Sequence, residues 1–185
     1  MLLVEPTALP DVKIIQPKRF GDHRGFFSET YSRSAFAEAG ITLDFVQDNH
    51  SLSAAVGTLR GLHFQAPPFA QDKLVRVPRG RILDVAVDIR ASSPDFGKFV
   101  AVELSAENWW QLLVPAGFAH GFVTLEPDTE VLYKVNAPYA PEHDRGVAFD
   151  DPAIGIDWGF APEALILSDK DRRHPRLADL PRYFA

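Results

Sequence analysis

Hydrophobic and polar residues alternate most clearly along residues 80–90, GRILDVAVDIR. Every second position is aliphatic, and the positions between hold Asp84, Ala86 and Asp88. The aliphatic positions are Leu83, Val85, Val87 and Ile89. Successive side chains of a β-strand point to opposite faces, so this period of two predicts a strand with one buried face and one polar face.

Several further apolar runs are short and closely spaced, with prolines and glycines between them. They are residues 74–77 (LVRV), 99–104 (FVAVEL), 111–115 (QLLVP), 121–125 (GFVTL) and 130–135 (EVLYKV). Close spacing with turn residues favours antiparallel strands. The chain shows no repeat or linker, so we expect one all-β domain over residues 1–185, an antiparallel β-sandwich or jelly roll.

Helix is expected to be a minor element. Residues 32–39 predict one helix, with Ser32 or Ser34 as its N-cap and Gly40 ending it. Ser168 can cap a short helical turn that leads into the C-terminal tail.

Composition narrows the class of protein. The 185 residues are 46% hydrophobic and include no cysteine, which excludes disulfides and thiolate metal sites. The net charge is −6 without a basic run, so nucleic acid is not an expected partner. No apolar run approaches the roughly 20 residues of a membrane span, and we expect a cytoplasmic protein.

Two histidines on strand-like segments are the main candidates for chemistry, His63 in TLRGLHFQ and His120 in VPAGFAHGF. Tyr133 and Asp171 follow downstream. Two imidazoles, a phenol and a carboxylate can remove and return protons without a cofactor, which favours acid–base catalysis.

The two histidine segments also look like the halves of a cupin metal motif. That motif places a second histidine two residues after the first, where this chain has Gln65. Glutamine is a poor ligand for the metals that imidazole prefers, so we expect no bound metal. A metal-dependent cupin, such as an oxygenase, stays open as an alternative.

Strand alternation also predicts on which face of the sheet the side chains near the two histidines lie. Regular alternation would point Arg60 and His63 to opposite faces, so both reach one site only if a bulge intervenes near Gly61. Asp84 can hydrogen-bond His120 if the polar face of its strand lines a cavity, and it is otherwise an exposed carboxylate.

Basic and aromatic residues suggest a ligand without identifying it. Arg24, Arg60, Lys73 and Arg76 would bind a diphosphate if they met in one cleft, although each alone is an ordinary surface charge. Tyr139 or the pair Trp109 and Trp110 can stack on a base or fill the core. No glycine-rich phosphate loop is present.

The chain resembles the dTDP-4-dehydrorhamnose 3,5-epimerase family in ordered segments along its whole length. These are FGDHRGFFSETY (20–31), FVQDNHS (45–51), LRGLHFQ (59–65), QDKLVRVPRGRILDVAVDIR (71–90), SPDFG (93–97), VPAGFAHGF (114–122), LYKV (132–135), YAPEHDRG (139–146), DDPAIGIDW (150–158) and LSDKD (167–171). The resemblance implies a cupin-like jelly roll and a homodimer that exchanges N-terminal strands, with no metal or cofactor. It also implies conversion of dTDP-4-dehydro-6-deoxy-D-glucose to dTDP-4-dehydro-L-rhamnose.

The same resemblance implies a role for individual residues. His63 matches the base, Asp171 the group that orients it, Tyr133 the acid on the opposite face of the sugar, and Lys73 the cation at the C4 oxygen. Further matches are to substrate-binding positions. They are Arg24, Glu29, Gln47, Asn49, Arg60, His120, Tyr139, Asp144 and Lys170, with Tyr139 stacking on thymine.

Two departures and three alternatives accompany this interpretation. Asp144 stands where glutamate is expected, which shortens a substrate contact by one methylene, and Gly159 follows Trp158 where proline is usual. The first alternative is a related enzyme of the same family, either an epimerase that inverts only C3 or only C5 or a ketoisomerase. The other two are a sugar-binding jelly roll without catalysis and the metal cupin.

Overall fold

A computed structural model describes residues 2–185, and most of their regular secondary structure is β-strand. The strands are β1 (Leu3–Pro6), β2 (Lys13–Gln16), β3 (Phe20–Asp22), β4 (Gly25–Phe27), β5 (Gln47–Ser53), β6 (Leu59–Gln65), β7 (Lys73–Arg79), β8 (Arg81–Asp88), β9 (Phe99–Ser105), β10 (Gln111–Val114), β11 (Phe118–Thr124), β12 (Thr129–Val135) and β13 (Asp144–Gly146). Every predicted strand is present, so the all-β class is confirmed.

The strands form two large antiparallel sheets and one hairpin. One sheet has six strands in the order β1-β2-β10-β7-β12-β5, and the other has five in the order β13-β6-β11-β8-β9. Strands β3 and β4 form the separate hairpin. The two sheets pack as the sandwich of a cupin-like jelly roll, which confirms the predicted architecture.

The space between the two sheets holds one apolar cluster. The six-stranded sheet contributes Val75, Leu112 and Val131, and the five-stranded sheet contributes Ala86 and Phe122. This cluster is the interior of the sandwich. Side chains that face it are therefore shielded from water, and polar groups among them need internal partners.

Strand β8 differs from the prediction of one buried face, because both of its faces are buried. Its aliphatic side chains, including Val85 and Val87, lie on the outer face of the sheet and pack under the C-terminal segment with Trp158 and Leu177. The face that carries Asp84 and Ala86 lines the sandwich interior. The predicted period of two is correct. The C-terminal segment covers the aliphatic face, and the face with Asp84 is the one that lies between the sheets.

The predicted helix is α1 (Arg33–Glu38), and the side chain of Ser32 caps it by accepting from the Ala35 amide. Phe36 on this helix is buried against the outer face of the six-stranded sheet. The remaining helical turns are short 3₁₀ helices. They span Pro141–His143, Pro162–Ala164, Asp171–Arg173 and Leu177–Asp179.

Ser168 accepts from the amide of Asp171 at 3.2 Å, as predicted for a helical turn at the start of the C-terminal tail. Within residues 2–185 no helix has the length and apolar character needed to cross a membrane.

Candidate active site

One cavity of about 300 Å³ collects most of the candidate catalytic residues. Its walls are formed by β5, β7 and β12 of the six-stranded sheet, by β6 and β11 of the five-stranded sheet, and by the C-terminal segment. Its lining consists of Ser51, Arg60, His63, Lys73, His120, Phe122, Tyr133, Ser168, Lys170 and Asp171. The two sheets and the tail thus bring together residues that are up to 120 positions apart in the sequence.

Arg60 and His63 both reach this cavity because β6 is irregular at Gly61. The pairing of β6 with β11 shifts register between His120 and Phe122, directly across from Gly61. Gly61 has φ +135°, and a Cβ atom there would lie 2.5 Å from the Cα of Gly121. The bulge that the sequence pattern required is therefore present, and it depends on glycine at both contacting positions.

His63 is held by a carboxylate of the C-terminal tail. Its Nε2 donates to Asp171 Oδ1 at 2.5 Å, while Ser168 donates to Asp171 Oδ2 at 2.9 Å. The Nδ1 atom of His63 has no hydrogen-bond partner in the described chain and is not buried. This arrangement leaves Nδ1 as the nitrogen that can take a proton from a ligand.

Burial and hydrogen bonding set the ionisation of this pair. Burial lowers the pKa of His63 below 6.5, and it outweighs the opposing effect of the Asp171 carboxylate. Burial by itself would raise the pKa of Asp171, but the nearby His174, the hydrogen bonds from His63 and Ser168, and the charge of His63 hold that pKa well below its usual value. At neutral pH the pair is a neutral imidazole beside a carboxylate, which is the state a general base requires.

His120 has its own carboxylate partner inside the sandwich. Its Nε2 donates to Asp84 Oδ1 at 2.6 Å, and Asp84 is fully buried. The hydrogen bond predicted for a polar cavity is therefore present. This hydrogen bond fixes the orientation of the His120 ring. His120 lies on β11, directly opposite His63 on the neighbouring strand β6.

Lys73 supplies a buried cation. Only 8% of the residue is exposed, and its Nζ donates to the carbonyl of His63 at 3.2 Å. Burial lowers its pKa to about 8, although the carboxylates of Asp84 and Asp144 oppose the shift. The ammonium form still dominates at neutral pH, so the cavity can stabilise a developing negative charge.

Tyr133 faces the cavity from β12, where it lies opposite Asn49 of β5 and Val75 of β7. It packs against the apolar cluster between the sheets. Burial raises the pKa of its phenol above 10, which keeps the hydroxyl protonated and able to donate.

A group of polar side chains at the cavity's edge connects five further candidates. Tyr139 donates from its hydroxyl to Asp144 Oδ2 at 3.1 Å, and the ammonium of Lys170 contacts the same oxygen. Gln47 accepts from the Tyr139 amide at 3.0 Å and donates to Asn49 at 2.8 Å. Asp144, despite its shorter side chain, organises the edge through Tyr139 and Lys170.

Three charged candidates lie elsewhere in the single chain. Arg24 is on the exposed β3–β4 hairpin and pairs with Asp22, and Glu29 lines a separate surface cavity. Arg76 lines a small pocket with Gln111 and Thr30, outside the main cavity. Of the four basic residues considered together, the structure brings only Arg60 and Lys73 into one cavity.

The aromatic candidates separate in the same way. Trp109 donates to Ser28 Oγ at 3.0 Å and packs edge-on against Phe26, so it fixes the β3–β4 hairpin. Trp110 packs against the apolar cluster between the sheets. Tyr139 is 57% exposed at the cavity's edge, where its ring is free to stack on a ligand.

The cupin position occupied by Gln65 is committed to backbone contacts. Its amide donates to the carbonyls of Phe69 and Pro138, and its oxygen accepts from Ala140. These bonds use the amide oxygen and the NH₂ group, so Gln65 does not complete a metal site with the two histidines.

A different trio, His63, Asp171 and His174, has its ligand atoms within 4.8 Å of one another. Zinc takes nitrogen and oxygen ligands at about 2.0–2.2 Å in tetrahedral geometry, which keeps two ligand atoms roughly 3.3 Å apart. The 2.5 Å between His63 Nε2 and Asp171 Oδ1 is instead a hydrogen-bond distance. The trio fits a hydrogen-bonded group better than a metal centre.

Sequence reasoning missed Ser51, Phe122 and His174 at or beside this cavity. Ser51 follows Asn49 by two positions on a strand, so the period of two could have placed it on the same face as that candidate. His174 follows Asp171 by three positions, and side chains three apart are in line along a 3₁₀ turn. Phe122 follows His120 by two, on the same face of β11.

Comparisons with known proteins agree on one family. Residues 6–179 match the profile described as dTDP-4-dehydrorhamnose 3,5-epimerase. The protein of that name from Sinorhizobium fredii is 55% identical over 180 residues, which cover 97% of this chain and 92% of the relative.

Solved structures give the same result. The dTDP-6-deoxy-D-glucose-3,5-epimerase of Legionella pneumophila, in complex with dTDP-4-keto-L-rhamnose, matches with a TM-score of 0.93 and 44% identity over 100% of both chains. ChmJ, a 3'-monoepimerase from Streptomyces bikiniensis in complex with dTDP-quinovose, matches with a TM-score of 0.86 and 33% identity, covering 94% of this chain and 87% of ChmJ.

Proposed function

Because this chain belongs to the dTDP-4-dehydrorhamnose 3,5-epimerase family, we propose that it inverts C3 and C5 of dTDP-4-dehydro-6-deoxy-D-glucose to give dTDP-4-dehydro-L-rhamnose. The observation that carries this proposal is the convergence of His63, Tyr133 and Lys73 on one cavity. A base, an acid and a fixed cation are the groups that such a reaction needs.

The proposed first step is removal of a carbon-bound proton. The ketone at C4 acidifies the protons at C3 and C5, because the electrons left on carbon can move onto the C4 oxygen. His63 takes the proton at Nδ1, and Asp171 stabilises the imidazolium that forms. Lys73 stabilises the negative charge on the C4 oxygen of the enolate.

The proposed second step returns a proton from the other face of the sugar. Tyr133 donates its hydroxyl proton to the carbon, the C4 ketone re-forms, and the centre is inverted. The imidazolium then returns its proton, through solvent, to the phenolate, and both groups regain their starting states. The same pair of steps at the second carbon completes the reaction.

No oxidant, reductant or metal enters this sequence, because each step moves only a proton and its electron pair. We therefore expect activity without a cofactor. Dialysis against a chelator should leave kcat and KM unchanged. Loss of activity that a divalent ion restores would favour the metal-cupin alternative over the proposed chemistry.

The nucleotide is proposed to lie along the cavity's edge. The exposed ring of Tyr139 offers a stacking surface for thymine, and Arg60 and Lys170 offer charges for the diphosphate. Gln47, Asn49, His120 and Asp144 are proposed to hydrogen-bond the sugar or the nucleotide.

A homodimer is proposed to supply Arg24 and Glu29. Both residues lie in or next to the hairpin, away from the cavity of their own chain. Phe20, Phe26 and Phe27 of this hairpin are each more than half exposed, which is typical of a surface covered by a partner. Exchange of N-terminal segments would bring the hairpin of one subunit to the cavity of the other.

Proton NMR of the ketosugar in deuterated water tests the function directly. We expect inverted product with deuterium at both C3 and C5. Binding of the dTDP-sugar without any exchange at carbon would instead indicate a sugar-binding jelly roll that lacks catalysis.

Inversion at a single centre is the second candidate. The similarity to the 3'-monoepimerase ChmJ favours considering it, because the same fold carries that activity. In the same NMR experiment, deuterium at C3 with unchanged configuration at C5 would identify it.

A further inference from the structure

His174 lies behind the His63–Asp171 pair, and the proposed reaction makes no use of it. It follows the 3₁₀ turn Asp171–Arg173, three residues after Asp171. Its side chain is only 9% exposed, and its Nε2 atom is buried without a hydrogen-bond partner within the usual distance. A buried ring nitrogen without a hydrogen-bond partner lowers the stability of the folded protein, so its presence calls for an explanation.

The nearest partner for this nitrogen is the carboxylate that holds His63. The Nε2 of His174 lies 3.5 Å from Asp171 Oδ1, the same oxygen that accepts from His63 at 2.5 Å. The two imidazole rings meet edge to face, with centroids 5.4 Å apart. Two imidazoles therefore approach one carboxylate oxygen from two directions.

A glycine makes room for this ring. Gly146 on β13 pairs with His63 on β6, and a Cβ atom at Gly146 would lie 2.5 Å from two atoms of the His174 ring. Gly146 is not at a positive φ, so the backbone itself does not demand glycine there. The imidazole of His174 occupies the space beside His63 that a side chain at position 146 would otherwise fill.

We propose that His174 is a positioning residue that donates from Nε2 to Asp171 and so fixes the position of the carboxylate that hydrogen-bonds His63. This inference rests on the proposed function, in which His63 is the base. The long contact shortens when the sugar closes the cavity, as hydrogen bonds in ligand-free active sites commonly do. The His174 ring also keeps water from the back of the His63–Asp171 pair.

The charged and titratable groups around His63 determine how this contact changes its basicity. They are Asp171 and Lys170 on the tail, Arg60 on β6, Lys73 on β7, Tyr133 on β12, and His120 on β11 with its partner Asp84. An N–H donated to Asp171 draws charge away from His63. Removing that N–H strengthens the attraction between Asp171 and the imidazolium and raises the pKa of His63.

His174→Phe and His174→Gln separate the hydrogen bond from packing. Phenylalanine keeps the ring volume without a donor, and glutamine keeps an N–H. For His174→Phe we expect kcat to fall about 10-fold, with KM changed less than twofold, as for the loss of a group that orients a ligand. The acid limb of its kcat/KM profile should move up by about half a pH unit. His174→Gln should recover most of both properties.

Gly146→Ala provides an independent route to the same change. Its new methyl group displaces the His174 ring, so we expect the pH profile of His174→Phe. In a His174→Ala background the same substitution should add little, because both changes act through one ring.

Each alternative outcome is distinguishable. A loss in His174→Gln as large as that in His174→Phe would show that the N–H does not account for the effect. Full activity in His174→Phe would show that ring packing alone matters, and either result would overturn the proposal. Unchanged pH profiles in every His174 variant would also overturn it, while the wild-type inversion in deuterated water would still establish the function.

A wild-type enzyme that fails to epimerise would refute the proposed function instead. NMR titration of the His63 ring in the ligand-free protein would then test His174 separately. An upward shift of the His63 pKa in His174→Phe, absent in His174→Gln, would support the contact, and equal pKa values in all three proteins would overturn it.

Discussion

Burial acts on His63 and Tyr133 in opposite directions, and both effects suit acid–base catalysis. It lowers the pKa of the imidazole and raises that of the phenol. At neutral pH the first group is therefore free to accept a proton and the second holds one to donate. When the surroundings of two titratable groups move their pKa values apart, one group is suited to act as the acid and the other as the base.

Replacement of Tyr133 by phenylalanine separates the two roles. The base and the oxyanion cation remain, so enolate formation and deuterium uptake at C3 or C5 should persist. Inverted product should fall by about 100-fold or more, because the proton returns to the face it left. Proton NMR in deuterated water measures both quantities.

His63→Ala is the control for this experiment, and it should lose exchange as well as inversion. Normal inversion by Tyr133→Phe would assign the acid to water or to another residue.

Lys73 should set the alkaline limit of activity. Its pKa of about 8 means that the cation is present below that pH and is lost as pH rises through it. We therefore expect kcat/KM to decline above about pH 8, whereas neutral His63 holds activity down to below pH 6.5. In Lys73→Arg the decline should disappear, since guanidinium stays charged. An alkaline limb unchanged in that variant would point to a different group.

The same shift has a consequence for stability. Between pH 8 and 10.5 the unfolded chain binds more protons at Lys73 than the folded protein does. The contribution of this residue to the free energy of unfolding therefore rises with pH over that interval.

At the scale of elements, two strands position the proposed catalytic groups through departures from simple patterns. Strand β8 has both faces buried, so Asp84 points into the sandwich and holds His120. Strand β6 changes the direction of its side chains at Gly61, which brings Arg60 and His63 to one cavity. Periodicity predicted β8, and the segment of β6 was expected to be strand-like, but neither pattern predicted the layer over β8 that decided which face is internal.

Gly61→Ala tests the irregularity in β6. The added methyl group would overlap the backbone of Gly121, at 2.5 Å, and the residue would keep an unfavourable positive φ. Overpacking and strain together should lower the free energy of unfolding by about 3 kcal/mol. Chemical denaturation gives this value, and catalysis should be lost as His63 moves.

Gly159→Ala is the matched control. It also has a positive φ, but apart from the two adjacent residues no atom lies within 4 Å of the place that its Cβ would occupy. It should cost only about 1 kcal/mol from backbone strain. Equal losses at Gly61 and Gly159 would show that contact with Gly121 is unimportant.

At the scale of the whole molecule, the single chain leaves its proposed binding site incomplete. Arg24 and Glu29 lie away from the cavity, next to an exposed apolar hairpin. A site shared between two subunits would explain both the placement of these residues and the exposure of the hairpin's phenylalanines.

Mixed dimers provide the test of this shared site. Arg24→Ala and His63→Ala should each be poorly active alone. Refolding them together should restore about a quarter of wild-type activity, because half of the dimers are mixed and each mixed dimer has one intact site. Absence of recovery, with mixed dimers detected by mass spectrometry, would place Arg24 outside the partner's site.

The amino-acid sequence by itself predicted strands β7 to β12, the strand-like segment of β6, helix α1 and the inventory of acid–base groups. These depend on local properties: side-chain alternation, capping residues and residue chemistry. The resemblance to one family also came from residues in order along the chain, and the comparisons support it.

Only the tertiary structure decided which faces are internal and which groups meet. The Asp171–His63 and Asp84–His120 pairs join residues 108 and 36 positions apart. Burial of β8 under the C-terminal segment and the approach of His174 depend on packing between separate elements. No local pattern encodes such contacts, because their energy comes from surfaces that meet only after the chain has folded.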